Sequence, residues 1–277
     1  MLKILVPTDF STNSKAGIRF AMQWSTQQEL ELIFLHVFHV ERLVQLRNID
    51  FEEYSEKKRI QFVKKLNRLA SSLYKKAGIK PGKYSSAAQR SISADIGIMD
   101  YCRDHKDIDY ICISTRGASK LNKLFGTNTG NLITKSDVPV IAVPKNYKRS
   151  PVTELVYATD FSNYTEELKA VVAFARPIQA KIKVLHLAWE NEIVPDQKTI
   201  EKSVQGQYYD SIELKIKKAG ESFSLEKDLK DEISRSKPSM VVLFTDQNRG
   251  LFKKIFSPSK AEQLSFETEV PLLAMHK

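Results

Sequence analysis

Two tandem α/β domains, each an open parallel sheet of five strands with helices on both faces, are what this sequence predicts. Three observations carry that reading. The chain is 277 residues long, enough for two domains at roughly 100–200 residues each. Three sequence blocks recur in the same order in its two halves. Within each half, short β-rich runs alternate with helical patterns, which argues for parallel strands joined by right-handed crossovers.

The repeat is read first, because a missed repeat distorts every later assignment. Ile4-Leu5-Val6-Pro7-Thr8-Asp9-Phe10-Ser11 is echoed by Leu155-Val156-Tyr157-Ala158-Thr159-Asp160-Phe161-Ser162, with an identical Thr-Asp-Phe-Ser core. Leu35-His36-Val37 recurs as Leu185-His186-Leu187, and Val138-Pro139-Val140-Ile141-Ala142-Val143 as Val270-Pro271-Leu272-Leu273-Ala274-Met275. The polar stretch 145–150, bounded by Pro144 and Pro151, suits an exposed linker. The expected domains are therefore 1–146 and 151–277.

In the first half, 2–7 reads as a buried strand. Ser11 or Asn13 caps the following helix, whose face is Ile18, Phe20, Ala21 and Trp24. The second strand is 31–38. Apolar residues recur every three or four positions along 52–77, the pattern of a long amphipathic helix, and Gly78 closes it. A weaker strand follows at 83–90. Ser93 or Asp95 opens a helix through about 104. Strands at 110–114 and 138–143 enclose a loop and helix. The second-half strands are 153–158, 181–187, 212–217, 240–245 and 271–275.

Composition narrows the function classes. Hydrophobic content of 42% and charged content of 27% are ordinary for a globular protein. No apolar run approaches the ~20 residues of a membrane span, and the start resembles no signal peptide, so a cytoplasmic protein without membrane attachment is expected. Two cysteines, Cys102 and Cys112, make no disulfide framework, and Cys112 reads as a small buried hydrophobe. The net charge of +10 attracts anions in general. Nucleic acid is not the expected partner, because no aromatic-plus-basic stripe of the single-strand type is evident. Lys57-Lys58-Arg59 and Lys64-Lys65 read as the solvated face of the long helix.

In open parallel sheets ligands bind beyond the carboxyl ends of the strands, which places Thr8, Asp9, Val37, Ser114 and Thr115 on one rim. His36 and His186 hold equivalent strand positions, and a hydrogen-bonded core or rim imidazole is their plainer reading. His39, His105 and His276 show no metal-ligand spacing. No P-loop, dinucleotide fingerprint or nucleophile elbow is present.

The Val-Pro-Thr-Asp-Phe-Ser opening, the Leu-His-Val strand, the 114–129 segment and the terminal Val-Pro-Val-Ile-Ala-Val-Pro strand resemble the universal stress proteins, twice over. That resemblance implies an adenine nucleotide alpha hydrolase-like fold. It also implies an intrachain pseudo-dimer in which 138–143 faces 271–275, with room for a further homodimer. The ATP-binding branch of the family carries Gly, two residues, Gly, nine residues, Gly, then Ser or Thr. Here Gly117, Gly126 and Thr127 match the later positions, Ser114 replaces the first glycine, and the second spacing is eight residues. Glycines allow close backbone approach to phosphates, and amides at a helix start hold the anion. Arg116, Lys120 and Lys123 add positive charge nearby.

The resemblance further implies that Asp9 meets the ribose or adenine side, that backbone groups of Thr8 and Val37 contact adenine, and that Asn128 lies beside the phosphates. Asp9 reads equally as a helix cap, because Asp160 repeats it in a half whose loop has lost the pattern. There, Ser257 replaces the third glycine, Pro258 lacks an N–H, and Asp246 adds negative charge. The expectation is a non-catalytic binding and signalling protein. It holds ATP or another adenine nucleotide, with or without Mg, in its first half and answers to an unidentified protein partner. A slow ATPase and a protein-interaction scaffold are the alternatives.

Overall fold

The computed structural model describes residues 1–41, 48–115, 127–161, 163–188, 198, 211–218, 225–245 and 270–276. The chain divides into two compact units with the main boundary between Arg149 and Ser150. Among the described residues no helix is long and apolar enough to cross a membrane.

The first unit runs β1 (Leu2–Pro7), α1 (Lys15–Trp24), β2 (Leu30–Phe38), α2 (Asn48–Ala77), β3 (Lys83–Arg90), α3 (Ala94–Asp104), β4 (Tyr110–Ser114), α4 (Thr127–Lys135) and β5 (Val140–Val143). Its sheet has the order β3-β2-β1-β4-β5. Its pairs are parallel, with Leu2 to Pro7 beside Leu30 to Leu35, Glu31 to Phe38 beside Lys83 to Arg90, and Ile111 to Ser114 beside Val140 to Val143. Right-handed crossovers put α1 and α2, which accompany steps one way from β1, on one face. They put α3 and α4, which accompany the return steps and touch each other, on the other.

β1, β4 and β5 are buried almost throughout because they lie between covered faces, and their sequences are correspondingly continuous apolar runs. Trp24, Phe20 and Met22 of α1 are buried on one side of this sheet. The helix backbone comes so close to β4 that a Cβ on Gly17 would lie 3.1 Å from the Cys112 carbonyl and 3.2 Å from the Ser114 nitrogen. Cys112 is fully buried and donates its thiol to the Gly17 carbonyl at 3.3 Å. Burial pushes both cysteine thiols up, Cys102 to about 12. Neither forms a disulfide.

The second unit repeats the plan with β6 (Glu154–Thr159), α5 (Tyr164–Ala175), β7 (Lys181–Ala188), β8 (Ile212–Lys218), α6 (Leu225–Ser236), β9 (Met240–Thr245) and β10 (Leu272–His276). Its order is β8-β7-β6-β9-β10, again with parallel pairs.

Several boundaries differ from expectation, for local reasons. Helix α1 starts at Lys15 with Ser14 at its N-cap, because Ser11 is spent on a preceding turn: its Oγ accepts the Ser14 N–H at 3.1 Å. Strands β5 and β10 begin just after Pro139 and Pro271, whose nitrogens cannot join a ladder. Strand β6 begins at Glu154, because Ser239 Oγ captures the N–H groups of Thr153 and Glu154 at 2.8 and 2.7 Å.

Candidate functional site at the sheet switch point

In the first sheet the chain steps from β1 to β2 on one side and later returns to place β4 on the other. The switch point therefore lies between β1 and β4, and a crevice opens beyond their carboxyl ends. Pro7 ends β1 and Ser114 ends β4, so Thr8–Asp9 and Ser114–Thr115 flank it.

The β1 end is held by a packed module. Thr8 donates its N–H to the Leu35 carbonyl at 2.9 Å, and its hydroxyl bonds Ser14 Oγ at 2.9 Å. The Thr8 carbonyl meets His36 Nδ1 at 2.8 Å. Phe10 has φ +64°, a left-handed conformation rare for a bulky side chain. It is stabilised by donation of its N–H to Thr8 Oγ1 at 3.1 Å and by its ring on His36, with centroids 4.5 Å apart. The second unit builds the same module. Phe161 has φ +60°, its N–H reaches Thr159 Oγ1 at 3.0 Å, His186 Nδ1 meets the Thr159 carbonyl at 2.9 Å, and the two rings are 4.4 Å apart. The recurring Thr-Asp-Phe and Leu-His blocks thus encode one turn-and-ring lock. The histidines belong to it, as the hydrogen-bonded rim reading expected.

On the first unit's side α2 completes the lock. The Phe62 ring lies tilted against His36, with centroids 4.4 Å apart, and Lys65 Nζ sits 4.1 Å over the Phe10 ring. Burial, the largest influence, lowers the His36 pKa below its ordinary 6.5; the Thr8 bond and Asp9 pull it up and Lys65 pushes it further down, leaving it lowered. A neutral ring bonded to a carbonyl carries its hydrogen on Nδ1. The contribution of His36 to stability is therefore fully present above the unfolded value of 6.5 and is lost as pH falls through the lower folded value. Urea midpoints of the first unit should fall between about pH 7 and about pH 5.5, and His36→Asn should flatten that slope. An unchanged slope in the variant would remove His36 as the cause.

Asp9 is exposed, and its Oδ1 accepts the Ser11 N–H at 2.9 Å. This is a turn-capping role, and an ionised carboxylate retains further acceptor sites. Val37 faces the crevice through its backbone. The Thr8–Leu35 bond carries the β1–β2 ladder one residue past Pro7, while Phe38 accepts from Ser91 on the β3 side at 3.0 Å. By the alternation of a parallel ladder, the N–H and C=O of Val37 then point past the end of β1.

Ser114 and Thr115 are buried. The Ser114 carbonyl accepts from Thr129 Oγ1 at 3.0 Å, tying the first turns of α4 to the β4 end. Asn128, beside Thr129, is exposed. Thr127 begins α4; Gly117 and Gly126, with Arg116, Lys120 and Lys123, lie outside the described residues, as do Asp246, Ser257 and Pro258.

One pair at this rim was not foreseen. Asp95 is buried; it accepts from Ser93 Oγ at 2.7 Å and from Asn131 Nδ2 at 2.5 Å, so the start of α3 is linked to α4. Burial alone pushes the Asp95 carboxyl up. The bonds from Ser93, Asn131 and the backbone N–H groups of Ile96 and Asp95 itself prevail and hold it below 3.8. Ser93 spends its hydroxyl on Asp95 and makes no cap bond of its own. Among the described residues no group of three or more His, Cys, Asp or Glu is placed to hold a metal.

Comparison with known proteins agrees with this architecture. A universal stress protein from Archaeoglobus fulgidus DSM 4304 has a solved structure similar to this one, with TM-score 0.68 and 18% identity over 99% of this chain and 96% of that one. A functionally unknown protein from Pseudomonas aeruginosa PAO1 gives TM-score 0.60 and 15% identity, covering 99% and 92%. At these identities the likeness shows the fold. No curated protein matches the sequence significantly. The universal stress protein family matches residues 1–144, more than half of the chain. With the repeated rim lock and the parallel sheets of this order, that match makes the chain a member of the universal stress protein family.

Proposed function

We propose that the first half binds ATP or a related adenine nucleotide at the β1–β4 switch point and acts as a cytoplasmic stress-signalling module without dedicated catalytic machinery. What supports this reading is that Asp9 follows β1, Ser114 ends β4, Thr127 opens α4 and the Val37 backbone runs past the end of β1, all on the carboxyl-end side of the first sheet. On this reading the backbone groups of Thr8 and Val37 take the adenine edge, and the exposed Asp9 carboxylate accepts from ribose hydroxyls. Gly117, Gly126, Thr127 and Asn128 hold the phosphates. Ser114 shapes the floor where relatives of the ATP-binding pattern have glycine. A Mg ion bound with the nucleotide offsets phosphate charge, taking its oxygens from phosphate and water. The second half is proposed as a structural partner. Pro258 removes a donor there and Asp246 repels phosphate.

The test is mass spectrometry of small molecules released on denaturation, with ATP titration calorimetry. One adenine nucleotide per chain, lost in Gly117→Val, is the expected result. No released ligand and no heat at about 1 mM ATP would overturn the proposal. Two equivalent sites would overturn the inert second half.

A further inference from the structure

The long helix α2 carries a charge pattern that the nucleotide site does not use. From Lys57 to the end of the helix at Ala77 there are eight basic residues and no Asp or Glu, while the start of the helix carries Asp50, Glu52, Glu53 and Glu56, so the charge is concentrated toward its carboxyl end. At about 100° per residue, Lys57, Lys64, Arg68 and Lys75 fall within about 40° of one another, and Lys58, Lys65 and Lys76 widen the arc to about 120°. Leu66, Ala70 and Tyr74, on the opposite side, are buried. Lys57, Lys64, Lys65, Arg68, Lys75 and Lys76 are exposed. Lys57 pairs with Glu53, and Lys65 lies over Phe10. The helix is continuous from Asn48 to Ala77 and buried on its apolar side, so the basic positions form a row about 27 Å long.

We propose that this face of α2 binds the phosphate backbone of double-stranded nucleic acid without regard to sequence. Charge complementarity selects this partner. A row of that length spans duplex carrying roughly 16 phosphates, and neutralising them releases condensed counterions. A lipid surface is disfavoured because an interfacial helix buries its apolar face in the bilayer, and here that face is taken up by the protein core. Single strands are disfavoured because from Lys57 to Lys76 no aromatic residue of α2 itself falls on the basic arc, and the two rings beside it, Tyr54 before the row and Phe10 from the β1 end, are each covered by a lysine, Lys58 and Lys65. The absence of that aromatic signal is the reason the sequence pattern alone pointed away from nucleic acid.

The experiment is fluorescence anisotropy of the full chain with a labelled mixed-sequence duplex of about 30 base pairs, across a salt series from about 50 to 200 mM KCl. Four to seven phosphate contacts predict a log–log slope of about −4 to −6. Lys64→Glu/Arg68→Glu should weaken binding at least about tenfold at the lowest salt and make the slope shallower by about 2. Lys169→Glu/Lys181→Glu, at exposed positions of the second half with the same change in net charge, should have little effect. Gly117→Val should leave duplex binding unchanged. Absence of binding at about 50 mM salt would overturn the proposal, as would equal losses in both double variants, the mark of diffuse charge attraction. Binding to vesicles containing about 30% anionic lipid, lost in the α2 variant and unaccompanied by duplex binding, would also overturn it in favour of a lipid surface.

Discussion

Replacing Lys215 by methionine is expected to destabilise the second unit by about 3 kcal/mol. Glu232 on α6 has a side chain only 1% exposed, and Lys215 on β8 meets both of its carboxylate oxygens at 2.7 and 2.8 Å. Arg235 approaches at 3.6 Å, but its side chain is 64% exposed and offers a screened interaction of small worth. Removing the lysine leaves a carboxylate in the interior with little compensation, and that unpaired state, more than any large strength of the pair, sets the cost. Glu232→Gln should therefore cost less than Lys215→Met. The double change Lys215→Met/Glu232→Leu should recover most of the loss, because it removes the buried charge as well as its partner. Urea unfolding with hydrogen exchange read on peptides of β8 and α6 checks this. Additive losses in the double variant would show that the pair is not the source.

This pair also marks where sequence reading stops. Strands 2–7, 83–90, 110–114 and 240–245 coincide with the observed elements, because each is a β-rich run ended by residues that suit turns or caps. The rim was legible for the same reason: once β1 and β4 are placed, the switch-point rule puts Thr8, Asp9 and Ser114 beside the crevice. The polar couplings were not. His36 reaches Thr8 across 28 positions, Asn131 reaches Asp95 across 36, and Lys215 reaches Glu232 across 17. Tyr157 donates to Glu167 with both residues buried. Burial together with the Glu167 carboxylate drives its phenol pKa far up. No periodicity pairs such residues, because each bond depends on the tertiary arrangement that sets one strand beside another, one helix beside another or a helix over a strand. Asp95 read as a helix opener, since a carboxylate near a helix start has that local explanation. Its bond to Asn131 appears only when α3 and α4 share a face of the sheet.

Gly97→Ala is expected to cost about 1–3 kcal/mol and to weaken nucleotide binding in the same variant by about tenfold. A Cβ at this position would lie 2.6 Å from Val37 Cγ1 and 2.8 Å from Ser91 Cβ. Val37 Cγ2 already lies 3.1 Å away, so rotating Cγ1 aside exchanges one methyl contact for another, and Ser91 Cβ is fixed to the backbone just past β3; α3 must therefore move away from the ends of β2 and β3. Two consequences follow from that displacement. Val37, whose backbone is proposed to meet adenine, loses the packing that holds its strand end. Asp95, two residues before Gly97, is drawn from Asn131, loosening α4 beside the proposed phosphate site. Asp95→Asn separates these effects, because it disturbs the α3–α4 bond while leaving the glycine contact intact. It should weaken binding with a smaller loss of stability. Val37→Ala introduced beside Gly97→Ala should restore part of the stability through favourable coupling of about 1 kcal/mol, although Val37→Ala alone is destabilising. If Gly97→Ala left the urea midpoint of the first unit unchanged, the close approach of α3 to β2 would not be the constraint that glycine serves. If it lowered the midpoint but left ATP affinity untouched, α3 would support the fold without positioning the site.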